Sequence, residues 1–216
     1  MKIWKKVLIV VVSLGLLALG AFTYMVGGPR NLIGMLRYDQ REEGKLQVGD
    51  RAPDVGLIAL DGTTPVKLSD HLGGQPTVLI FGSFTCPPFR RSVERVRALS
   101  KKYGDRVRFV TLYIKEAHPL DEWQMDSNVD EGVCYPQPTS LNDRVRIAND
   151  FVKRFKYEIP LYIDPIENPA NQAYAGWPER LYVIDENGSI VYKGKPGPFG
   201  YHPEEVEQWL VKRFGA

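Results

Sequence analysis

The stretch Val78-Leu79-Ile80-Phe81-Gly82-Ser83-Phe84-Thr85-Cys86-Pro87-Pro88-Phe89 decides how the whole chain reads. Its first four residues are continuously apolar rather than alternating, which predicts a central strand buried on both faces. After Cys86 the apolar positions Phe89, Val93, Val96, Leu99 and Tyr103 recur at spacings of three and four, the signature of one helix face. Pro87 and Pro88 fall in the first turn of that helix, where a missing N–H sacrifices no bond. Arg90, Arg91, Arg95, Arg97, Lys101 and Lys102 lie mainly on the other faces and read as solvated surface. Cys86 therefore stands at a strand-to-helix junction. Unpaired backbone N–H groups and the positive end of the helix dipole are expected to lower its pKa there and populate the thiolate. A small buried hydrophobe is the alternative fate of such a cysteine.

Working outward, turn residues punctuate further apolar runs. Val55 to Leu60 ends at Asp61-Gly62, Gly73-Gly74 precedes the central strand, and Val107 to Ile114 is the next strand. Ser140-Leu141-Asn142-Asp143 opens a helix with a capping-box-like signature and an apolar face of Val145, Ala148, Val152 and Phe155. Leu161 to Ile163 is a short strand. Leu181 to Ile184 and Ile190 to Tyr192 flank Glu186-Asn187-Gly188 as a hairpin, and Pro203 starts a last helix bearing Val206, Trp209 and Leu210. This order calls for an α/β fold with parallel and antiparallel pairing, a central mixed sheet flanked by helices. The thioredoxin-like fold has this order, and it places a cis-proline beside its reactive thiol; Pro178, after Trp177, is in that place.

At the other end, Met1 to Lys6 carries Lys2, Lys5 and Lys6, and the run Val7 to Val26 has no charge. At about 1.5 Å per residue this run is long enough to cross a bilayer. It is expected to be an uncleaved N-terminal transmembrane helix, the alternative being a signal peptide with Ala18 and Gly20 near its cleavage site. Arg30, Arg37 and Arg41 follow the span, so only the tight lysine cluster favours an N-terminus inside and a domain on the outer face. Three segments result: an anchor over 1–27, a juxtamembrane connector over 28–47 without strand or helix period, and one catalytic domain over 48–216. Lys+Arg 28 against Asp+Glu 26 leaves a net charge of +2, which argues against nucleic acid as a partner. Cys86 and Cys134 are the two cysteines, too few for a disulfide scaffold. No metal is expected, because His71, His118 and His202 have no ligand spacing.

Cys86-Pro87-Pro88-Phe89 lacks the second cysteine of a dithiol exchanger. The stretch Phe81 to Phe89 instead resembles the nucleophile signature of the iodothyronine deiodinases, with cysteine where selenocysteine usually stands. Three more blocks resemble the same family in the same order. They are Tyr113-Ile114-Lys115-Glu116-Ala117-His118-Pro119, Ser140-Leu141-Asn142-Asp143-Arg144, and Pro178-Glu179-Arg180-Leu181-Tyr182 running on to Tyr192-Lys193-Gly194-Lys195-Pro196-Gly197-Pro198.

The resemblance implies reductive dehalogenation. Cys86 would attack the iodine of an iodinated aromatic ring, and a proton would replace it on carbon. By the same resemblance Tyr113, Glu116 and His118, with Ser83 and Thr85, would form the network that delivers the proton, histidine acting as a general acid near neutral pH. Arg180 would meet the charged end of the substrate. An external thiol reductant rather than a bound cofactor, a membrane anchor and a homodimer are also implied. Two positions depart from the family pattern: Phe84 replaces a cysteine two residues before the nucleophile, and Pro138 replaces a substrate-binding histidine after Gln137. Cys134, in a loop with Pro136 and Pro138, is the candidate for resolving an oxidised Cys86 if that loop folds over the site. Sulfur in place of selenium predicts slower chemistry at matched geometry.

Two other functions compete. Val48-Gly49-Asp50-Arg51-Ala52-Pro53 and a lone cysteine suit a peroxiredoxin/redoxin-type thiol peroxidase acting on a peroxide, or a thiol oxidoreductase, although Ser83 stands where peroxiredoxins have threonine. A non-catalytic anchored binding module is the third, and the presence of both Glu116 and His118 argues against it.

Overall fold

The computed structural model describes residues 3–37 and 42–215, so Lys2, Asp39, Gln40 and Arg41 lie outside the described residues. The quoted stretch forms β3 (Thr77–Gly82), all six residues of it buried. It is continuously apolar because it is covered by strands on both edges and by packing on both faces. β4 (Arg108–Tyr113) runs parallel beside it with Leu79 opposite Val110, and β6 (Arg180–Ile184) runs antiparallel on the other side with Leu79 opposite Tyr182. With β1 (Gly56–Ala59), β2 (Pro65–Lys67), β5 (Leu161–Ile163) and β7 (Ile190–Lys193) it makes a seven-stranded mixed sheet in the order β2-β1-β5-β4-β3-β6-β7. The expected mixed α/β sheet is the one observed.

α3 (Pro87–Tyr103) follows Cys86 and buries Phe89, Val93, Val96, Leu99 and Tyr103, the predicted face. It packs against α7 (Pro203–Phe214). α5 (Leu141–Phe155) is capped as anticipated, Ser140 Oγ accepting from the Asp143 N–H at 3.2 Å. Its fully buried stripe is Arg144, Ile147, Ala148 and Phe151, however, while Val145, Val152 and Phe155 are partly buried flanks. The periodicity located the helix but rotated its face by about one residue. The reason is that Phe151 enters an aromatic cluster, stacked on Phe89 at 5.1 Å between centroids, that the local sequence does not specify.

Edge strand β2, the 3-10 turn Leu68–His71 and three α-helices were not anticipated, the helices being α4 (Asp126–Asp130), α6 (Pro169–Tyr174) and α2 (Pro29–Arg37). The last corrects the reading of the connector as lacking helix. Nine residues are too few to display a period, yet Pro29 at the first turn and four apolar residues suffice when the helix packs on the domain. α1 (Ile3–Met25) is 23 residues long, and none of its residues is buried against the rest of the protein.

Candidate active site

Cys86 is the residue from which α3 departs, extended at φ −87°, and it is fully buried. Its Sγ–H donates to Glu179 Oε2 at 2.7 Å. Glu179 sits one residue before β6, directly after the cis Trp177–Pro178 bond, so the antiparallel pairing of β3 with β6 brings the carboxylate to the thiol across 93 residues of sequence. Glu179 Oε1 is buried without a hydrogen-bond partner. A Cβ at Gly197 would overlap the same carboxyl group, so the glycine is needed for the loop to close over it.

This geometry corrects the expected thiolate. Burial above all, and then the charge of Glu179, push the Cys86 thiol well above its usual range. Together they outweigh the helix N-terminus, because a thiolate that loses water and faces a carboxylate is destabilised twice. Burial also raises the Glu179 carboxyl to about 7, partly offset by the bond from Cys86. The pair holds its proton on sulfur at rest, next to a base poised near neutrality. Glu179 was missed as a site residue. Its sequence signal was adjacency to Pro178, but only the sheet register shows that it touches sulfur.

The loop Ser83-Phe84-Thr85 before Cys86 is tied to the end of β4. Tyr113 OH accepts from the Phe84 N–H at 3.0 Å and donates to Glu116 Oε1 at 2.5 Å. Glu116 Oε2 accepts from both the N–H and the hydroxyl of Thr85, at 2.9 and 2.6 Å. Thr85 Oγ1 in turn accepts from the His118 N–H, and Ser83 Oγ from the Ala117 N–H, each at 3.1 Å. Gln137 clasps the backbone of Glu116 from behind, its Oε1 accepting from the Glu116 N–H and its Nε2 donating to the Glu116 carbonyl. Burial raises the Glu116 carboxyl, and it raises the Tyr113 hydroxyl well above its usual value. Thr85, Tyr113, Glu116 and the backbone N–H of His118, all named from sequence, therefore form one network adjoining Cys86, and Ser83 docks beside it on the Ala117 N–H.

The His118 ring departs from its expected role. Nδ1 lies 3.1 Å from the Trp123 carbonyl, which only accepts, so this nitrogen carries the proton and Nε2 offers a lone pair. Burial lowers the imidazole to about 4. At neutral pH His118 is an acceptor rather than a general acid.

Three other expectations fare differently. Arg90, assigned to the solvated face, is 4% exposed; its Nη1 donates to the Phe84 carbonyl at 2.7 Å and its guanidinium pairs with Glu131 at 2.9 Å. It fixes the cysteine loop, and its charge favours the thiolate. Arg180, expected to meet a substrate, is fully buried and donates to the carbonyls of Glu42 and Glu43. Cys134 is exposed, and its sulfur meets Gln124 and the Asn128 carbonyl, not Cys86. Among the described residues no group of three or more histidine, cysteine or acidic side chains converges on one point.

A single thiol where a strand gives way to a helix, faced by a cis-proline loop from the neighbouring strand, places the chain among the thioredoxin-like proteins. Solved structures agree on that fold. The thioredoxin domain of a thiol-disulfide oxidoreductase from Bacteroides vulgatus superposes with a TM-score of 0.52 at 17% identity, covering 76% of this chain and 99% of that one. A secreted disulfide oxidoreductase from Mycobacterium tuberculosis gives 0.51 at 13% identity, covering 74% and 96%.

Within this class the chain belongs to the iodothyronine deiodinase family, whose model matches residues 33–214. Thyroxine 5-deiodinase from Gallus gallus is 37% identical over 164 residues, 76% of this chain and 62% of that protein. Type I iodothyronine deiodinase from Xenopus laevis is 37% identical over 174 residues, 80% and 66%. Thyroxine 5-deiodinase from Bos taurus is 38% identical over 165 residues, 76% and 53%. The match spans less than two thirds of the length of each of these relatives.

Proposed function

We propose that this protein is a thiol-dependent reductive deiodinase of an iodinated aromatic substrate of the iodothyronine class, with Cys86 as nucleophile. The single observation that carries the reading is the Cys86–Glu179 pair, a buried thiol in contact with a carboxylate raised to about 7. Glu179 takes the thiol proton as substrate enters, and the thiolate forms only where iodine can receive it. The S–I bond forms as the C–I bond breaks, and the Thr85, Glu116 and Tyr113 network supplies the proton that replaces iodine on carbon. An external thiol then attacks the sulfur, expels iodide and leaves a mixed disulfide. A second thiol restores Cys86. The sum is aryl iodide plus two thiols giving arene, disulfide and hydrogen iodide. His118 Nε2, as an acceptor, suits a phenolic hydroxyl on the substrate.

The exposed α1, uncharged from Val7 onward, supports a single-pass anchor, and the lysine cluster before that run favours the domain on the outer face. The homodimer implied by the resemblance is checked by sedimentation of the full chain in detergent. The reaction is tested by single-turnover and steady-state iodide release from an iodothyronine with excess dithiol, beside hydrogen peroxide consumption and a Cys86→Ser control. Iodide release that disappears in the control is the expected result; peroxide turnover without iodide refutes the reading and makes the protein a peroxidase.

A further inference from the structure

We propose that α2 lies on the bilayer surface, with Ile33 and Leu36 among the lipid headgroups and its opposite face holding the Trp123 loop, so that the membrane braces His118. The proposal rests on the reading of α1 as a membrane anchor. α2 has two distinct faces. Pro29, Arg30, Ile33, Leu36 and Arg37 form an exposed stripe at helical spacing, with Ile33 65% and Leu36 80% exposed. The other face is docked. Asn31 Nδ2 donates to the Gln124 carbonyl and Asn31 Oδ1 accepts from the Gln124 N–H, each at 3.1 Å. Gly34 is buried, and a Cβ there would come within 2.7 Å of Trp123 Cβ and 3.1 Å of its backbone nitrogen, so only glycine permits the approach.

Continuity with α1 identifies what covers the outer face. α1 ends in a tight cap in which Gly28 N–H donates to the Thr23 carbonyl at 2.8 Å and Gly27 takes φ +85°. Asn31 Nδ2 also donates to the Val26 carbonyl at 2.9 Å, so one side chain links the end of the span, α2 and the Trp123 loop. A helix that begins within four residues of the end of a membrane span is held at the interface. There an apolar pair bracketed by two arginines matches buried acyl carbons beneath anionic phosphates. The chain of contacts then runs inward: α2 fixes Trp123, whose carbonyl receives the His118 Nδ1–H and whose ring meets the imidazole edge-on at 4.7 Å. The membrane surface is thereby coupled to the acceptor nitrogen of the site.

The test uses the full chain with Cys86→Ser and Cys134→Ser, reconstituted in phosphatidylcholine/phosphatidylserine vesicles. A spin label is placed in turn at Leu36→Cys, Ile33→Cys, Lys45→Cys and Leu14→Cys. Labels at 33 and 36 are expected to show an oxygen-to-nickel accessibility ratio severalfold above that at 45. Nickel accessibility at 33 and 36 equal to that at 45, with 14 still deep in the bilayer, overturns the surface helix and leaves the anchor standing. Shielding of 33 and 36 from both relaxants overturns it in favour of a second copy of the chain. Water exposure at 14 removes the anchor and the proposal together. The coupling has its own readout. In vesicles the Gln124 N–H is expected to exchange about tenfold faster in Ile33→Glu/Leu36→Glu than in the unsubstituted chain; equal exchange overturns the bracing.

Discussion

Replacing Glu179 by glutamine tests whether the carboxylate beside sulfur is a working base. The side chain keeps its length and an acceptor for the thiol, now 2.7 Å from Oε2, but loses the group raised to about 7. The proton must then leave to water. Even a thiol at an ordinary value of 9.0 is ionised to about one part in 100 at pH 7, and burial holds Cys86 above that value. Removing the carboxylate charge relieves part of the elevation. A positioned general base contributes at least about 100-fold, so the expected loss in single-turnover iodide release is about 100-fold at pH 7, or about 2.7 kcal/mol of transition-state stabilisation. The pH profile changes with it: the rate rises through about pH 7 in the parent, as Glu179 ionises, and only toward alkaline pH in the variant. Alkylation of Cys86 by iodoacetamide reports the thiolate independently. The new amide N–H₂ occupies the site of the unpartnered Oε1, so a stability cost of about 1–3 kcal/mol is expected and is followed by thermal unfolding. A variant within threefold of the parent with an unchanged pH profile refutes the base. A variant faster than the parent at pH 7 shows the carboxylate to be only a suppressor of the thiolate.

Gly197→Ala drives a methyl group into the Glu179 carboxyl, so single-turnover iodide release is expected to fall toward the Glu179→Gln level while circular dichroism reports an intact fold. Tyr113→Phe strips the Phe84 N–H of its acceptor and Glu116 of a donor; about 1–3 kcal/mol of stability by urea titration and about tenfold in kcat, with KM held, are expected to be lost. His118 contributes a pH dependence of stability. Its folded value of about 4 lies below the ordinary 6.5, so the unfolded chain takes up the proton first and stability falls between pH 6.5 and 4, by about 3 kcal/mol. The difference in unfolding free energy between the parent and His118→Gln is expected to shrink by that amount over the same interval; a constant difference contradicts the buried neutral imidazole.

The sequence by itself determined the elements around the nucleophile. Continuous apolarity from Val78 to Phe81 marks a strand covered on both faces, and spacings of three and four from Phe89 mark the helix that follows Cys86, because both signals are written locally in side-chain period. The motif blocks likewise located Thr85, Tyr113, Glu116 and His118, which the structure joins into one network, and Ser83 beside it. What local period does not carry is which charges meet across the fold. Glu179 reaches Cys86 only through the antiparallel register of β6 on β3, Arg90 is buried only because Glu131 and the Phe84 carbonyl receive it, and Arg180 is engaged by the carbonyls of Glu42 and Glu43. Tertiary structure also decided the protonation of the site. The helix N-terminus acts on Cys86 through the geometry of adjacent residues, whereas desolvation depends on everything packed around the sulfur. Desolvation is the stronger of the two, and it holds the thiol neutral.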